Sequence, residues 1–263
     1  MNPTTETYTP GQTPSATAFM AERDLDSHGF FLSPFLQRGF HVLDAGCGPG
    51  TISTGIASAV FPGTVTAVDL SQAQVEFARR QSEGREIVNI HFATASAYEL
   101  PFADETFDLV FSHALLEHLV EPRKALREFH RVTRPGGFVA VCSPDWDEFE
   151  LRPYPTRVRN AIRAYRNLQE ANGGNTRAGE HLHEWVADAG FTPLTHEHWI
   201  EEYEDASRIA EYLAYQLDRA GQAEHANTLR EWAEQPEARF RQCWKYATAV
   251  RADDNRRMSR VTE

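Results

Sequence analysis

Residues 42–50 read Val-Leu-Asp-Ala-Gly-Cys-Gly-Pro-Gly, and a second acidic residue, Asp69, lies roughly 20 positions beyond the loop. Alternate glycines at Gly46, Gly48 and Gly50 let a backbone turn sharply after a strand and approach a ligand where a Cβ would collide. A carboxylate at Asp69 stands where a ribose diol would be held. Asp44, just ahead of the glycines, suits an amine-bearing ligand and would repel a pyrophosphate. A dinucleotide loop would instead run Gly-x-Gly-x-x-Gly straight onto a helix N-terminus. The glycines alone say little. Joined to Asp44 and Asp69 at these positions, they describe a specific cradle.

The elements that must hold these residues are readable from periodicity. Phe40–Asp44 is a short apolar run feeding the glycine loop, a buried strand. A helix over Thr51–Val60 closes at Pro62-Gly63, and the β-branched run Thr64–Leu70 carries Asp69 at its end. Ser71, three residues before Gln74, is a capping signature that opens a helix over Gln72–Glu83. Strands follow over Ile87–Ala93 and Phe107–Ser112, then helices over Ala114–Leu119 and Pro122–Thr133. After the Arg134-Pro135-Gly136-Gly137 break, Phe138–Cys142 is a fifth strand. Such alternation predicts a parallel sheet with helices on both faces.

Past Pro144 the character changes. The pattern predicts a helix over Ala178–Ala189, a strand over Thr192–Tyr203, helix throughout 205–240 and a last strand over Phe240–Val250. At the other end, residues 1–17 are rich in Thr and Pro and predict a disordered arm, or one that orders over a bound ligand. Residues 19–38 read as two short helices interrupted at Gly29 and Pro34, opening a single domain over 18–263.

Bulk properties narrow the partners. Lys and Arg number 26 against 38 Asp and Glu, a net charge of −12, and a field of that sign repels phosphate backbones and anionic lipid. Nucleic acid and membrane are therefore not expected partners; a homodimer is compatible with the composition. Three cysteines, Cys47, Cys142 and Cys243, form no framework. No signal peptide or spanning segment is evident, so a cytoplasmic location is expected. His196 and His198 would share a strand face, but nothing completes a metal site and none is expected.

VLDAGCGPG, TAVDLS, LPFADETFDLVFSHALLEHL and RVTRPGG, in that order, resemble the motifs of class I S-adenosylmethionine-dependent methyltransferases. The nearest resemblance is to the group holding the ubiquinone and menaquinone biosynthesis enzymes and many natural-product enzymes. It covers residues 30–145 closely, with a weaker echo at Arg177–Phe191. It implies a Rossmann-like seven-stranded sheet, mostly parallel, with a cofactor-binding half over 40–145 and helical cap insertions over 146–175 and 205–240. It also implies S-adenosyl-L-methionine as cofactor. Asp44, Gly46, Cys47, Gly48 and Gly50 would contact its methionine part. Asp69 would accept both ribose hydroxyls, with Leu70 against the adenine. Ser96-Ala97 stands where the family often has Asp-Ala, so the Ser96 hydroxyl would receive the adenine amino group. Ser112 and His113 would line the sulfonium side.

The expected reaction is in-line transfer of a methyl group to an O, N or C nucleophile of a small molecule. His113 is the first candidate base, because imidazole titrates near neutrality, and His118 the second. His28 in the opening helices could close over the site. The alternatives are a cofactor-binding regulatory protein without turnover and a nicotinamide-dependent oxidoreductase. An Asn/Asp-Pro-Pro-Tyr/Phe run for gripping a flipped base is absent where Ser112-His113-Ala114-Leu115 stands.

Overall fold

The strand β1 (His41–Ala45) is buried along Val42, Leu43, Asp44 and Ala45, as a strand covered on both faces must be. In the computed structural model, which describes residues 8–253 except 12 and 204, β1 pairs in parallel with β2 (Thr64–Asp69) on one side and β4 (Phe107–His113) on the other. β3 (Ile90–Thr94) extends the sheet beyond β2, and β5 (Thr133–Arg152) extends it beyond β4. β7 (Arg239–Val250) then runs antiparallel to both β5 and β6 (Thr192–Tyr203), completing the order β3-β2-β1-β4-β5-β7-β6. The order reverses between β1 and β4. A crevice opens at the carboxyl ends of the strands there, the usual ligand position in such sheets.

Helices cover both faces. On one, α3 (Thr51–Val60) and α4 (Gln72–Glu83) bury Ile56, Val60, Val75 and Ala78 against Val42, Val65 and Leu109. On the other, α5 (Pro122–Val132) presents Ala125, Leu126, Phe129 and Val132 at helical spacing. With Leu182 and Val186 of α7 (Ala178–Asp188) they pack on Leu43, Val110 and Val139. A third cluster unites α6 (Thr156–Ala171), α8 (Ala206–Arg219) and α9 (Ala223–Ala233) around Ile162, Leu213, Leu217 and Trp232. Phe240 of β7 and Leu151 of β5 join this cluster, so the layer of α6, α8 and α9 shares strands with the sheet.

The sequence reading and the structure part in five places. The fifth strand is not five residues but runs from Thr133 to Arg152, because β7 pairs with its far half as well as its near one. The helix expected over Ala114–Leu119 is only a 3-10 turn at Leu116–His118, preceded by Ala114 at φ 54, which no α-helix tolerates. Helix through 205–240 divides into α8 and α9 at Gly221, φ 74. The arm expected to be disordered over 1–17 lies outside the described residues as far as 7. Beyond that it is built in: Thr9 is buried, and α1 (Pro14–Met20) forms with Thr13 capping Ala16 and Pro14 at its first position. Thr17 accepts a hydrogen bond from Gln74 Nε2 at 2.8 Å, tying α1 to α4. The opening helices shrink to α2 (Leu25–His28) and a 3-10 turn at Phe30–Leu32.

Candidate functional site

The crevice is a cleft of about 1200 Å³, counting the solvent at its mouth, lined by Asp44, Gly46, Cys47, Gly48, Asp69 and Leu70. Backbone N–H groups of Gly46 and Cys47 both donate to Val68 O, at 2.8 and 2.9 Å, turning the chain tightly after β1. At Gly48, φ 49, a Cβ would meet nothing within 4 Å, so the space above the loop is open to a ligand.

Asp44 is 2% exposed, and its one hydrogen-bond partner among the described residues is Ser53 Oγ, at 2.5 Å. Burial pushes its carboxyl up to about 7, against the Ser53 hydrogen bond, and the Asp69 charge adds to the rise. No cation pairs with it among the described residues. A buried carboxylate in that state gains most from a ligand that brings an ammonium. Burial also raises the Asp69 carboxyl, while N–H groups of Ser71 (2.8 Å) and Gly48 (3.0 Å) hold it down. Leu70 is 71% exposed at the rim, free to lie against a planar ring.

Three of the expected contacts are placed elsewhere. Gly50 faces the protein: a Cβ there would sit 2.8 Å from Ala78 Cβ and 2.9 Å from Phe92, so its missing side chain serves packing. The Ser96 hydroxyl accepts from Tyr98 N at 3.2 Å and is not on the cleft wall, although Ala95 and Ala97 are. Ser112 is buried and donates to Ala45 O at 2.8 Å, bracing β4 to β1.

His113 and His118 do reach the cleft. Burial depresses both, His113 well below the usual imidazole value and His118 to about 3, and the Arg23 charge adds to each effect. The His113 ring lies tilted against Trp244, centroids 4.8 Å apart, and among the described residues its buried Nε2 has no hydrogen-bond partner. His28 is not on the cleft wall; its Nε2 lies 3.3 Å from Glu201 Oε1.

Sequence reasoning missed Tyr8, Met20, Arg23 and Glu117. Tyr8 meets the His118 ring edge-on at 5.0 Å and closes one side of the cleft with Met20 and Arg23. Glu117 is buried in the adjoining cavity, takes a 2.8 Å hydrogen bond from Ser143 Oγ, and is pushed by burial to about 7. Tyr8, Met20 and Arg23 lie outside the motifs, and Glu117, although inside one, stands beside the histidine that drew the reading there. A cluster of Asp145, Glu148 and Glu180 has the separation of a cation site, but Lys245 Nζ already bonds all three.

Residues 43–141 match the methyltransferase-domain family. The chain is 36% identical over 168 residues to a methyltransferase of Schizosaccharomyces pombe, 61% of this chain and 60% of that protein. It is 33% identical over 176 residues to a demethylmenaquinone methyltransferase of Clavibacter sepedonicus, 60% of this chain and 68% of the relative. The chain belongs to the S-adenosylmethionine-dependent methyltransferases. Its fold agrees: an S-adenosylmethionine-dependent methyltransferase from Aquifex aeolicus superposes with a TM-score of 0.59 at 17% identity, covering 92% of this chain and all of that one. The cofactor of this methyltransferase family is S-adenosylmethionine, and the residues present fit it. Asp44 has no cation beside it among the described residues, Gly48 leaves room above the loop, and Asp69 stands at the tip of β2. No helix among the described residues is long and apolar enough to cross a membrane.

Proposed function

We propose that the protein methylates an O, N or C atom of a small metabolite or natural product. The carrying observation is the pairing of Asp44 and Asp69 on either side of an open glycine loop in one cleft. Asp44 would hold the amino group of the cofactor, Asp69 its ribose diol, and Leu70 with Ala97 its adenine. Bound there, S-adenosylmethionine would supply a methyl carbon made electrophilic by its sulfonium.

The chain's own work is to orient and to exclude water. Tyr8, Met20 and the ring of His118 cover the cleft. His113 and His118 would face the acceptor as neutral rings; with pKa values held low they suit hydrogen-bond acceptance better than retention of a proton. The net charge of −12 favours a small acceptor over a nucleic acid. Relatives bearing quinone-methylating names support the same class. Calorimetry with S-adenosylhomocysteine, followed by product detection with labelled cofactor and a panel of phenols, amines and quinones, tests the reading. Binding without any product would leave the regulatory alternative; no binding would end both.

A further inference from the structure

Beside the cofactor cleft lies a second cavity of about 500 Å³, counting the solvent at its mouth, and Tyr8, Met20 and His118 line both. Its sides are largely aromatic, with Trp146, Tyr165, Tyr212 and Trp244 among them. Also lining it are two buried polar side chains, Glu117 at 2% exposure and Gln169 at 1%.

Each is held by the protein and left with an oxygen to spare. Gln169, on α6, donates through Nε2 to the carbonyl of Glu117 at 3.2 Å. A carbonyl can only accept, so that bond fixes which end of the amide is which. Gln169 Oε1 then has no hydrogen-bond partner among the described residues. Glu117, in the 3-10 turn Leu116–His118, accepts from Ser143 Oγ on Oε2 at 2.8 Å. Among the described residues no other side chain donates to its Oε1, and His118 Nε2 stands 3.8 Å away. Asn175 N–H also donates to Glu117 O, at 2.8 Å, so the turn is pinned from two sides.

A buried acceptor without a donor costs free energy, and two of them in one cavity mark where a ligand's hydrogen belongs. An anion would set its own oxygens against these two. A cation would meet the Arg23 guanidinium, which lines the same cavity. We infer that Glu117 and Gln169 recognise the acceptor through a neutral O–H or N–H group, carried on a flat apolar skeleton that the aromatic walls receive. The inference rests on the methyltransferase reading above in calling that ligand the acceptor.

The test is calorimetry on the full chain at pH 8, above the value of about 7 to which burial raises the Glu117 carboxyl. The ligands are 2-naphthol, its methyl ether, 2-naphthoate and 2-naphthylmethylammonium, all with saturating S-adenosylhomocysteine, and the first two also without it. The naphthol should bind about tenfold tighter than the ether, and tighter than either ion. Gln169→Met, which keeps the volume and leaves Asn175 on the Glu117 carbonyl, should cut that preference to about threefold. Glu117→Gln should cut it similarly, and the double variant should erase it. S-adenosylhomocysteine affinity should stay within about twofold in all three, which also shows that they fold. Where a variant does not fold, the wild-type ranking of the four ligands decides. An ether that binds as tightly as the naphthol, no binding of either, tighter binding of either ion, or a preference that survives the double variant overturns the inference. Failure of the wild-type chain to bind S-adenosylhomocysteine would sink the methyltransferase reading instead, and the naphthol–ether comparison without it would still be read.

Discussion

The backbone N–H of Gly48 donates to Asp69 Oδ2 at 3.0 Å, so the carboxylate that ends β2 also braces the loop that follows β1. The two halves of the binding motif are one mechanical unit. A ligand that hydrogen-bonds Asp69 therefore meets a loop already set in place.

Asp69→Ala should weaken S-adenosylhomocysteine binding by more than the ligand contacts alone. Hydrogen bonds to a charged group contribute about 1.5–3 kcal/mol, or roughly 10- to 150-fold, and the loop brace goes with them. Asp69→Asn, which keeps one acceptor for Gly48, should lose less. Calorimetry ranks the three proteins, and equal affinities would remove Asp69 from the site.

Asp44 makes stability and binding depend on pH in opposite senses. Its folded-state carboxyl sits at about 7, above the roughly 3.9 of an unfolded chain. The proton is thus held more tightly in the folded protein. That stabilisation is complete below about 4 and is lost as pH rises through about 7. Without ligand, Asp44→Asn should melt higher than wild type at pH 8, and the gap should close at pH 4. Cofactor binding needs the ionised form, so S-adenosylhomocysteine affinity should fall below pH 7 and a proton should be released on binding. Calorimetry in buffers of different ionisation heat measures that proton; none released at pH 6.5 would contradict the assignment.

Two glycines separate packing from binding. Gly50→Ala combines positive φ, about 1–2 kcal/mol, with overlap on Ala78 and Phe92, about 1–3 kcal/mol, and should lower the melting temperature clearly. Its folded fraction should still bind S-adenosylhomocysteine. Gly48→Ala carries a similar positive-φ cost at φ 49 but no overlap, so it should lose less stability than Gly50→Ala and more affinity. Melting curves and titrations on the pair would show the reverse ranking if Gly50 touched the ligand.

His113→Phe keeps a ring against Trp244 and removes the nitrogen. We expect kcat to fall at least about tenfold while S-adenosylhomocysteine affinity holds within twofold. The wild-type kcat profile should lack an inflection near 6.5, because burial keeps His113 neutral far below that pH. An inflection there that vanishes in His113→Phe would make His113 a titrating base after all.

The cofactor half was legible because each of its turns is enforced locally. Gly46 and Gly48 adopt positive φ after β1, Ser71 caps α4, and Pro122 opens α5. Local signals fail where distant contacts decide. Asp147–Arg152 became strand because Gln242–Arg239 lies alongside at Phe149–Arg152, and α1 formed from a Thr- and Pro-rich stretch because α4 and α8 receive it. In the site, Ser96 and Ser112 had the right positions in the chain, but nearer backbone groups claimed their hydroxyls. Arg23 had no pattern to betray it; Trp244, whose ring centre lies 4.9 Å from its guanidinium carbon, is more than two hundred positions away in the chain.

β5 passes without a break from the central sheet into the layer of α6, α8 and α9, paired to β7 on both sides of an irregularity between Asp145 and Phe149. A layer built on the sheet's own strands shares its frame with the sheet. The wall of the cleft facing it is laid by Tyr8 and Met20, which come from a part of the chain that belongs to no strand.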